Sequence, residues 1–232
     1  MTSQHQKSLE LIYAKRTGEL LKESWDVVPS PDEVNWPDLI VTTELGKFGL
    51  EVREIYLDES SKGSTKKANE KNNLKNIQKL ADTYYKSNCS TIRVNLLGYI
   101  GHHDKLLSAI TKEVSQLSEF KQKRIEPYNG CVIYVLRLPD QLGEYKRWNY
   151  VSDTVGFVSN INKDIIDRAV VGKAKNLQKY AKNISDIRLL LVSDGLFNSG
   201  KARLKDNIIC NTYGFNFIYY LSYPESVWKF NS

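Results

Sequence analysis

The pattern of hydrophobic and polar positions along the chain predicts helices that alternate with strands. Apolar residues recur every three or four positions in four stretches, which predicts amphipathic helices over 8–23, 74–88, 103–120 and 163–183. Shorter apolar runs predict strands over 92–97, 132–136, 188–192 and 215–221, whereas 139–162 is expected to be irregular. Helices and strands alternate without a repeat. The pattern therefore predicts an α/β fold with a central mixed β-sheet flanked by helices on both faces.

Two further apolar runs, separated by the polar residues 43–47, predict a β-hairpin. A turn centred on positions 45 and 46 would place Asp38 opposite Arg53, with Glu51 a diagonal step away. Because residues two positions apart on a strand share a face, Glu51 and Arg53 are expected to point the same way. The hairpin is thus expected to bring two carboxylates and a cation together on one patch of the sheet.

Glu51 has the most apolar surroundings of these three residues, in the run Phe48-Gly49-Leu50-Glu51-Val52. A carboxylate buried there must pair with a cation, bind a metal or shift its pKa. Two interpretations remain open at this point. The patch is a divalent-metal site suited to phosphodiester chemistry, or its charges form only a cross-strand salt bridge.

Length, charge and cysteine usage set the broad class of protein. The 232 residues suit one well-buried domain, and we expect 1–232 to form it. The 33 basic and 27 acidic residues give a formal charge of +6, which suits a polyanionic partner without requiring one. The three cysteines have no metal-ligand spacing, and no run approaches the roughly 20 apolar residues that span a bilayer. The opening residues lack a hydrophobic export core. We expect a cytoplasmic protein with no membrane partner.

Several short motifs occur in a fixed order along the chain. They are Pro37-Asp38, the run 46–55 that contains Glu51, Lys62-Gly63-Ser64, and Lys173, Leu177 and Tyr180 ahead of the strand 187–192. Together they resemble the PD-(D/E)xK nuclease-like superfamily, also called restriction-endonuclease-like, and within it an uncharacterised bacterial branch. The resemblance spans roughly residues 8–195, and each motif in it is short.

The resemblance implies a restriction-endonuclease-like core and metal-dependent hydrolysis of phosphodiester bonds in nucleic acid, DNA being expected over RNA. It also implies that Asp38 and Glu51 bind Mg²⁺ or Mn²⁺, hard cations that prefer oxygen ligands. Some relatives add an acid from the first helix, and Glu10 and Glu19 are the candidates by position. Many relatives dimerise to cut both strands, so a homodimer is an open option, although no symmetric patch in the sequence indicates one.

Arg53 departs from the superfamily pattern, which has a lysine two residues after the glutamate. Lysine is a compact point charge, whereas arginine can bind a phosphate through two N–H groups but cannot act as a base. Lys47 near the turn and Lys173 from the fourth helix are the candidates for a relocated lysine, although Lys173 could instead extend to solvent. The alternative function is a catalytically inactive nuclease-fold protein that binds nucleic acid or a protein partner.

Overall fold

The computed structural model describes residues 4–31, 35–58, 63–151, 159–195, 198–204 and 210–231, so the motif residue Lys62 lies outside the described residues. The helices are α1 (Gln4–Leu21), α2 (Thr65–Ser87), α3 (His103–Val114), α4 (Lys163–Ala174) and α5 (Leu177–Tyr180). The strands are β1 (Asp26–Pro29), β2 (Leu39–Thr43), β3 (Gly46–Glu54), β4 (Ile92–Gly98), β5 (Gln122–Tyr128), β6 (Cys131–Arg137), β7 (Asn149–Val151), β8 (Ser159–Asn160), β9 (Ile187–Asp194), β10 (Ala202–Arg203), β11 (Phe217–Tyr223) and β12 (Ser226–Asn231).

The chain divides into two compact units. The outer unit comprises Met1–Thr65 and Phe157–Ser232, and the inserted unit comprises Lys66–Gly156. The inserted unit therefore interrupts the outer unit in sequence. The expected organisation as a single domain of 232 residues stays a prediction.

The outer unit is built on a six-stranded mixed sheet with the order β1-β2-β3-β9-β11-β12. The three central strands, β3, β9 and β11, run parallel to one another, and the outer pairings are antiparallel. Nearly every residue of β9 is buried, which is the pattern of a central parallel strand covered on both faces. A short parallel pair, β8 with β10, completes the strands of this unit within the described ranges.

Helices cover both faces of the six-stranded sheet, because the side chains of β9 alternate between two hydrophobic clusters. Leu190 and Val192 belong to a cluster that includes Tyr13 of α1. Leu189 and Leu191 belong to the cluster on the opposite face, which includes buried residues of α4. The outer unit thus has the predicted layered α/β arrangement.

The inserted unit has its own four-stranded sheet, with the order β5-β6-β4-β7. Residues 92–97 and 132–136 were expected in one central sheet, and that prediction is wrong, because they pair with each other here as β4 and β6. In β4 the residues Ile92, Val94 and Leu96 are buried and pack with apolar side chains of α2 and α3. The described residues therefore form a mixed α/β protein with a six-stranded sheet and a four-stranded sheet, besides the short β8–β10 pair. None of the described helices is long and apolar enough to cross a membrane.

Candidate active site

The hairpin of β2 and β3 forms as predicted, but its register differs from the expected one. Its innermost pair is Thr43 with Gly46, which leaves two residues in the turn. Continued one position beyond its last pair, the ladder sets Asp38 beside Glu51. The expected alignment of Asp38 with Arg53 is therefore wrong, and Asp38, which directly precedes β2, lies beside Glu51 instead.

The turn itself explains the shift in register. The hydroxyl of Thr43 accepts a hydrogen bond from the backbone N–H of Leu45 at 3.3 Å and donates to the carbonyl of Gly46 at 3.1 Å. Gly46 has a φ of +131°, a conformation that glycine adopts without the steric cost of a side chain. The Thr43 side chain thus closes the turn one residue earlier than a symmetric arrangement about positions 45 and 46.

Asp38 is fixed to β3 by its own side chain and by the residue before it. The backbone N–H of Val52 donates to Asp38 Oδ2 at 2.8 Å. Pro37 packs directly on Gly49, where a Cβ atom would lie 2.4 Å from Pro37 Cγ. A glycine at position 49 is therefore what allows the Pro37-Asp38 segment to approach β3 so closely.

Lys173 of α4 joins the two acids. Its Nζ atom lies 2.6 Å from Glu51 Oε1 and 3.6 Å from Asp38 Oδ2. The side chain of Glu51 is only 2% exposed, so this ammonium compensates its charge inside the protein. Of the two candidates for a relocated lysine, Lys173 is the one that the structure brings to the acids.

The second carboxylate oxygen of Glu51, Oε2, is buried and has no hydrogen-bond partner among the described residues. Burial raises the pKa of Glu51, the charge of Asp38 adds to this effect, and Lys173 opposes it. Burial lowers the pKa of Lys173, but the charges of Glu51 and Asp38 outweigh it and the pKa lies above its ordinary value. Lys173 therefore remains an ammonium at neutral pH.

Tyr180 of α5 lies near the Glu51 carboxylate and lowers the pKa of that group. Burial and the negative charge of Glu51 raise the pKa of the Tyr180 hydroxyl well above its ordinary value, so the hydroxyl stays neutral. The predicted helix over 163–183 is interrupted after Ala174, yet Lys173 and Tyr180 still converge on one acid. The Lys-Leu-Tyr spacing was the sequence signal for Tyr180, which was not assigned to the site.

Arg53 approaches the site from the same face of β3 as Glu51, as strand alternation predicts. Its guanidinium lies against Gly172 of α4, where a Cβ atom would be 2.8 Å from Arg53 Nη1. The positive charge of Arg53 acts to lower the pKa of the neighbouring Lys173. Two cations from different elements thus lie close enough for the charge of one to affect the pKa of the other.

Of the two helix acids, the structure brings Glu10 to the site. Glu10 is 7% exposed and lines, with Asp38 and Ser30, a cavity of about 20 Å³. Burial and then the charge of Asp38 raise the pKa of Glu10 to about 7. A polar cavity of this volume holds roughly one water molecule. Glu19, in contrast, is 63% exposed and pairs with Arg16 at 2.8 Å.

Lys47 is an exposed residue at the turn end of β3, where it pairs with Thr42. It is four residues from Glu51, about 13 Å along an extended strand. The structure therefore does not bring Lys47 to the acids.

Glu54 follows Arg53 on β3 and belongs to the other face, where the hydroxyl of Tyr13 lies 3.1 Å from its Oε1.

The donor set at this site fits a hydrated hard cation. Within the described ranges, no group of three or more His, Cys, Asp or Glu side chains is placed to hold a metal ion. Asp38 and Glu51 would supply two carboxylates to such an ion, and Mg²⁺ is often bound through only one or two carboxylates because it keeps several of its waters. The buried, unpartnered Oε2 of Glu51 is the observation that favours a ligand, since such an oxygen is costly to leave without a proton or a cation.

Comparisons of the chain with protein families, with curated proteins and with solved structures find no match. The similarity to the PD-(D/E)xK superfamily therefore stays a prediction from short motifs. The residues around Glu51 are the basis on which a function can be assigned.

Proposed function

We propose that the protein hydrolyses phosphodiester bonds in nucleic acid, DNA over RNA, at the site formed by Asp38, Glu51 and Lys173. The observation that carries the proposal is the convergence of two acids and an ammonium from residues 122 positions apart, with Lys173 Nζ 2.6 Å from Glu51 Oε1. Structural salt bridges also occur in proteins. This one, however, leaves a second buried carboxylate oxygen without a hydrogen-bond partner among the described residues.

Each residue has a definite role in this proposal. Asp38 and Glu51 would hold Mg²⁺ or Mn²⁺, which supplies Lewis acidity toward a phosphate oxygen and toward a bound water. Lys173 is charged and would stabilise the negative charge that develops on the phosphate. Arg53, beside it, can bind a phosphate oxygen through its N–H groups.

Glu10 completes the set as the acceptor of a proton. Its pKa of about 7 means that a substantial fraction is ionised at neutral pH and can still take up a proton. The cavity that it lines with Asp38 has room for about one water. A water held there would share the cavity with Glu10, Asp38 and Lys7, and the pKa of Glu10 is matched to neutral pH.

The same proposal includes three further predictions from the sequence. They are a restriction-endonuclease-like core, an optional homodimer and a cytoplasmic location. The six-stranded mixed sheet with helices on both faces is compatible with such a core. Sedimentation of the purified protein over a range of concentrations tests the dimer directly.

The second candidate function is a catalytically inactive protein that binds nucleic acid or a protein partner. The observation that favours it is that Lys173 already compensates both acids, at 2.6 Å from Glu51 and 3.6 Å from Asp38. The cavity of about 20 Å³ beside Asp38 also admits no ligand group larger than about one water.

Cleavage of supercoiled plasmid, single-stranded DNA and RNA, with Mg²⁺, Mn²⁺ or a chelator, separates the two functions. An active site requires that cutting needs a cation and falls by roughly 100-fold or more in Asp38→Asn and in Glu51→Gln. Glu19→Gln is the matched control, because it neutralises an exposed acid outside the site. Full activity in Asp38→Asn would reject the assignment, and binding without cutting by the wild type would favour the inactive alternative.

A further inference from the structure

The inserted unit carries the entire positive excess of the chain. Lys66–Gly156 contain 15 Lys and Arg against 9 Asp and Glu, an excess of six that equals the formal charge of +6 for the whole protein. The outer unit has the remaining 18 basic and 18 acidic residues and is balanced. The charge that suits a polyanion therefore resides in a different unit from the acids of the proposed active site.

Within the inserted unit, three lysines form a stripe along α2. Lys71, Lys75 and Lys79 follow one another at intervals of four, so they lie on one side of the helix, and all three are exposed. They share this open helix surface with Leu74, Gln78 and Asp82. None of the ion pairs within the described ranges involves them, and the nearby Asp82 pairs with Lys146 instead.

This arrangement is unfavourable for an isolated helix. Like charges four residues apart destabilise a helix, and the stripe contains two such pairs in succession. A bound anion next to each ammonium would remove that repulsion. The three lysines, defined here as the α2 lysine stripe, thus form a surface whose electrostatics favour a partner with repeated negative charge.

Nucleic acid fits the stripe better than a membrane does. Successive lysines are about 6 Å apart along the axis, a regular row of point charges suited to a regular row of phosphates. An interfacial membrane helix needs an apolar face open to the lipid. The apolar face of α2, including Ile77, Leu80 and Tyr84, is instead buried in the core of the inserted unit, and Leu74 is its one exposed large apolar residue among those described.

We propose that the α2 lysine stripe is a binding surface for the phosphate backbone of nucleic acid, without sequence preference. Lysines that contact phosphates supply affinity and dependence on salt but do not read bases. The surface belongs to the inserted unit and needs neither the acids nor a metal ion, so it does not depend on cleavage at the proposed active site.

Fluorescence anisotropy with labelled single-stranded and duplex oligonucleotides, in chelator and over a range of salt concentrations, tests the proposal on the full-length protein. In the triple variant Lys71→Gln, Lys75→Gln, Lys79→Gln, the slope of log affinity against log salt should become shallower by about two to three. Affinity at low salt should fall by about tenfold or more. The variant should unfold at a temperature no lower than that of the wild type, because the substitution removes like-charge repulsion.

The matched control is Lys105→Gln, Lys112→Gln, Lys121→Gln, which removes the same charge from exposed positions elsewhere in the inserted unit. It should leave most of the salt dependence in place. Equal losses of affinity and of salt dependence in the two triple variants would overturn the assignment of the α2 lysine stripe as the binding site. So would a wild type that binds no oligonucleotide at low salt, or one that binds anionic vesicles instead. A protein that binds through the stripe but never cuts would reject the proposed activity and leave this surface intact.

Discussion

The ammonium of Lys173 and the carboxylate of Glu51 form a buried ion pair, with 2.6 Å between Nζ and Oε1, across 122 residues of sequence. The pair connects α4 to the centre of the six-stranded sheet. Removal of one partner from such a pair leaves a charge in the protein interior without compensation, and this costs more than the intact pair contributes. Substitutions at the site are therefore expected to change the stability of the protein as well as its activity.

Lys173→Met should lower the free energy of unfolding by about 2–4 kcal/mol at pH 8, because Glu51 stays buried without its cation. The loss should be smaller at pH 5, since burial raises the pKa of Glu51 and the acid can then take up a proton. Urea unfolding at the two pH values measures both. The double variant with Glu51→Gln should recover most of the loss, and equal losses in the single and double variants would contradict a coupled pair.

Glu10→Gln should make stability less dependent on pH. The pKa of Glu10 is raised from 4.5 to about 7 in the folded protein, so the unfolded chain releases this proton more readily between those values. The folded state consequently loses stability as the pH rises from 4.5 to about 7. Removal of the acid should therefore stabilise the protein at pH 8 by about 1–2 kcal/mol and leave it unchanged near pH 4.

Glu19→Gln provides the comparison for that experiment, because Glu19 lies on the same helix but is exposed and paired with Arg16. Its effect should stay below about 0.5 kcal/mol at either pH. Thermal or urea unfolding across the pH range gives the dependence of stability on pH for both variants. A Glu10→Gln curve parallel to that of the wild type would show that Glu10 titrates normally.

Gly172→Ala should separate the position of Arg53 from the stability of α4. A Cβ at position 172 would meet the end of the flexible Arg53 side chain at 2.8 Å, so the guanidinium should move rather than the backbone. Helix stability should be unchanged or higher by up to about 1 kcal/mol. If Arg53 contacts the phosphate, cleavage should fall by about tenfold or more, as in Arg53→Met. Cleavage rates and thermal unfolding are measured together. A large destabilisation would show that the Arg53 side chain cannot move away from the new Cβ atom.

Tyr13→Phe should affect stability alone. The Tyr13 hydroxyl lies 2.9 Å from Asp194 Oδ2 and 3.1 Å from Glu54 Oε1, on the face of the sheet that α1 covers. Loss of a buried hydroxyl that serves two acids should lower the free energy of unfolding by about 1–3 kcal/mol. Activity at a temperature where the variant remains folded should match the wild type. Lost activity with unchanged stability would show that the Tyr13 hydroxyl takes part in catalysis.

The sequence was informative where local periodicity decides the structure. Strand alternation correctly placed Glu51 and Arg53 on one face of β3. Helical spacing left the direction of Lys173 open, and only the structure shows that it turns inward to Glu51. The register of the β2–β3 hairpin could not be predicted from this periodicity. One side-chain contact, from Thr43 to the backbone of the turn, decides whether Asp38 meets Glu51 or Arg53. No periodic pattern encodes such a contact.

Strands at sheet edges were also missed, because they lack the apolar signal. The edge strand β5 is largely exposed and includes Pro127, and β12 at the other sheet is only partly buried. The third helix, expected to reach residue 120, ends at Val114. The separation of the six-stranded sheet from the four-stranded sheet depends on pairings between distant segments, such as β3 with β9, which a local pattern does not determine.

The insertion between β3 and β9 has a consequence for synthesis on the ribosome. A nascent chain exposes Glu51 long before Lys173 is translated, and at about 5–20 residues per second the delay is roughly 6–24 seconds. Throughout that interval the β2–β3 hairpin has an open edge where its parallel neighbour will later add. Chaperone engagement or aggregation of the emerging polypeptide would act at this stage, and a prematurely terminated chain would retain both acids but lack their counter-ion.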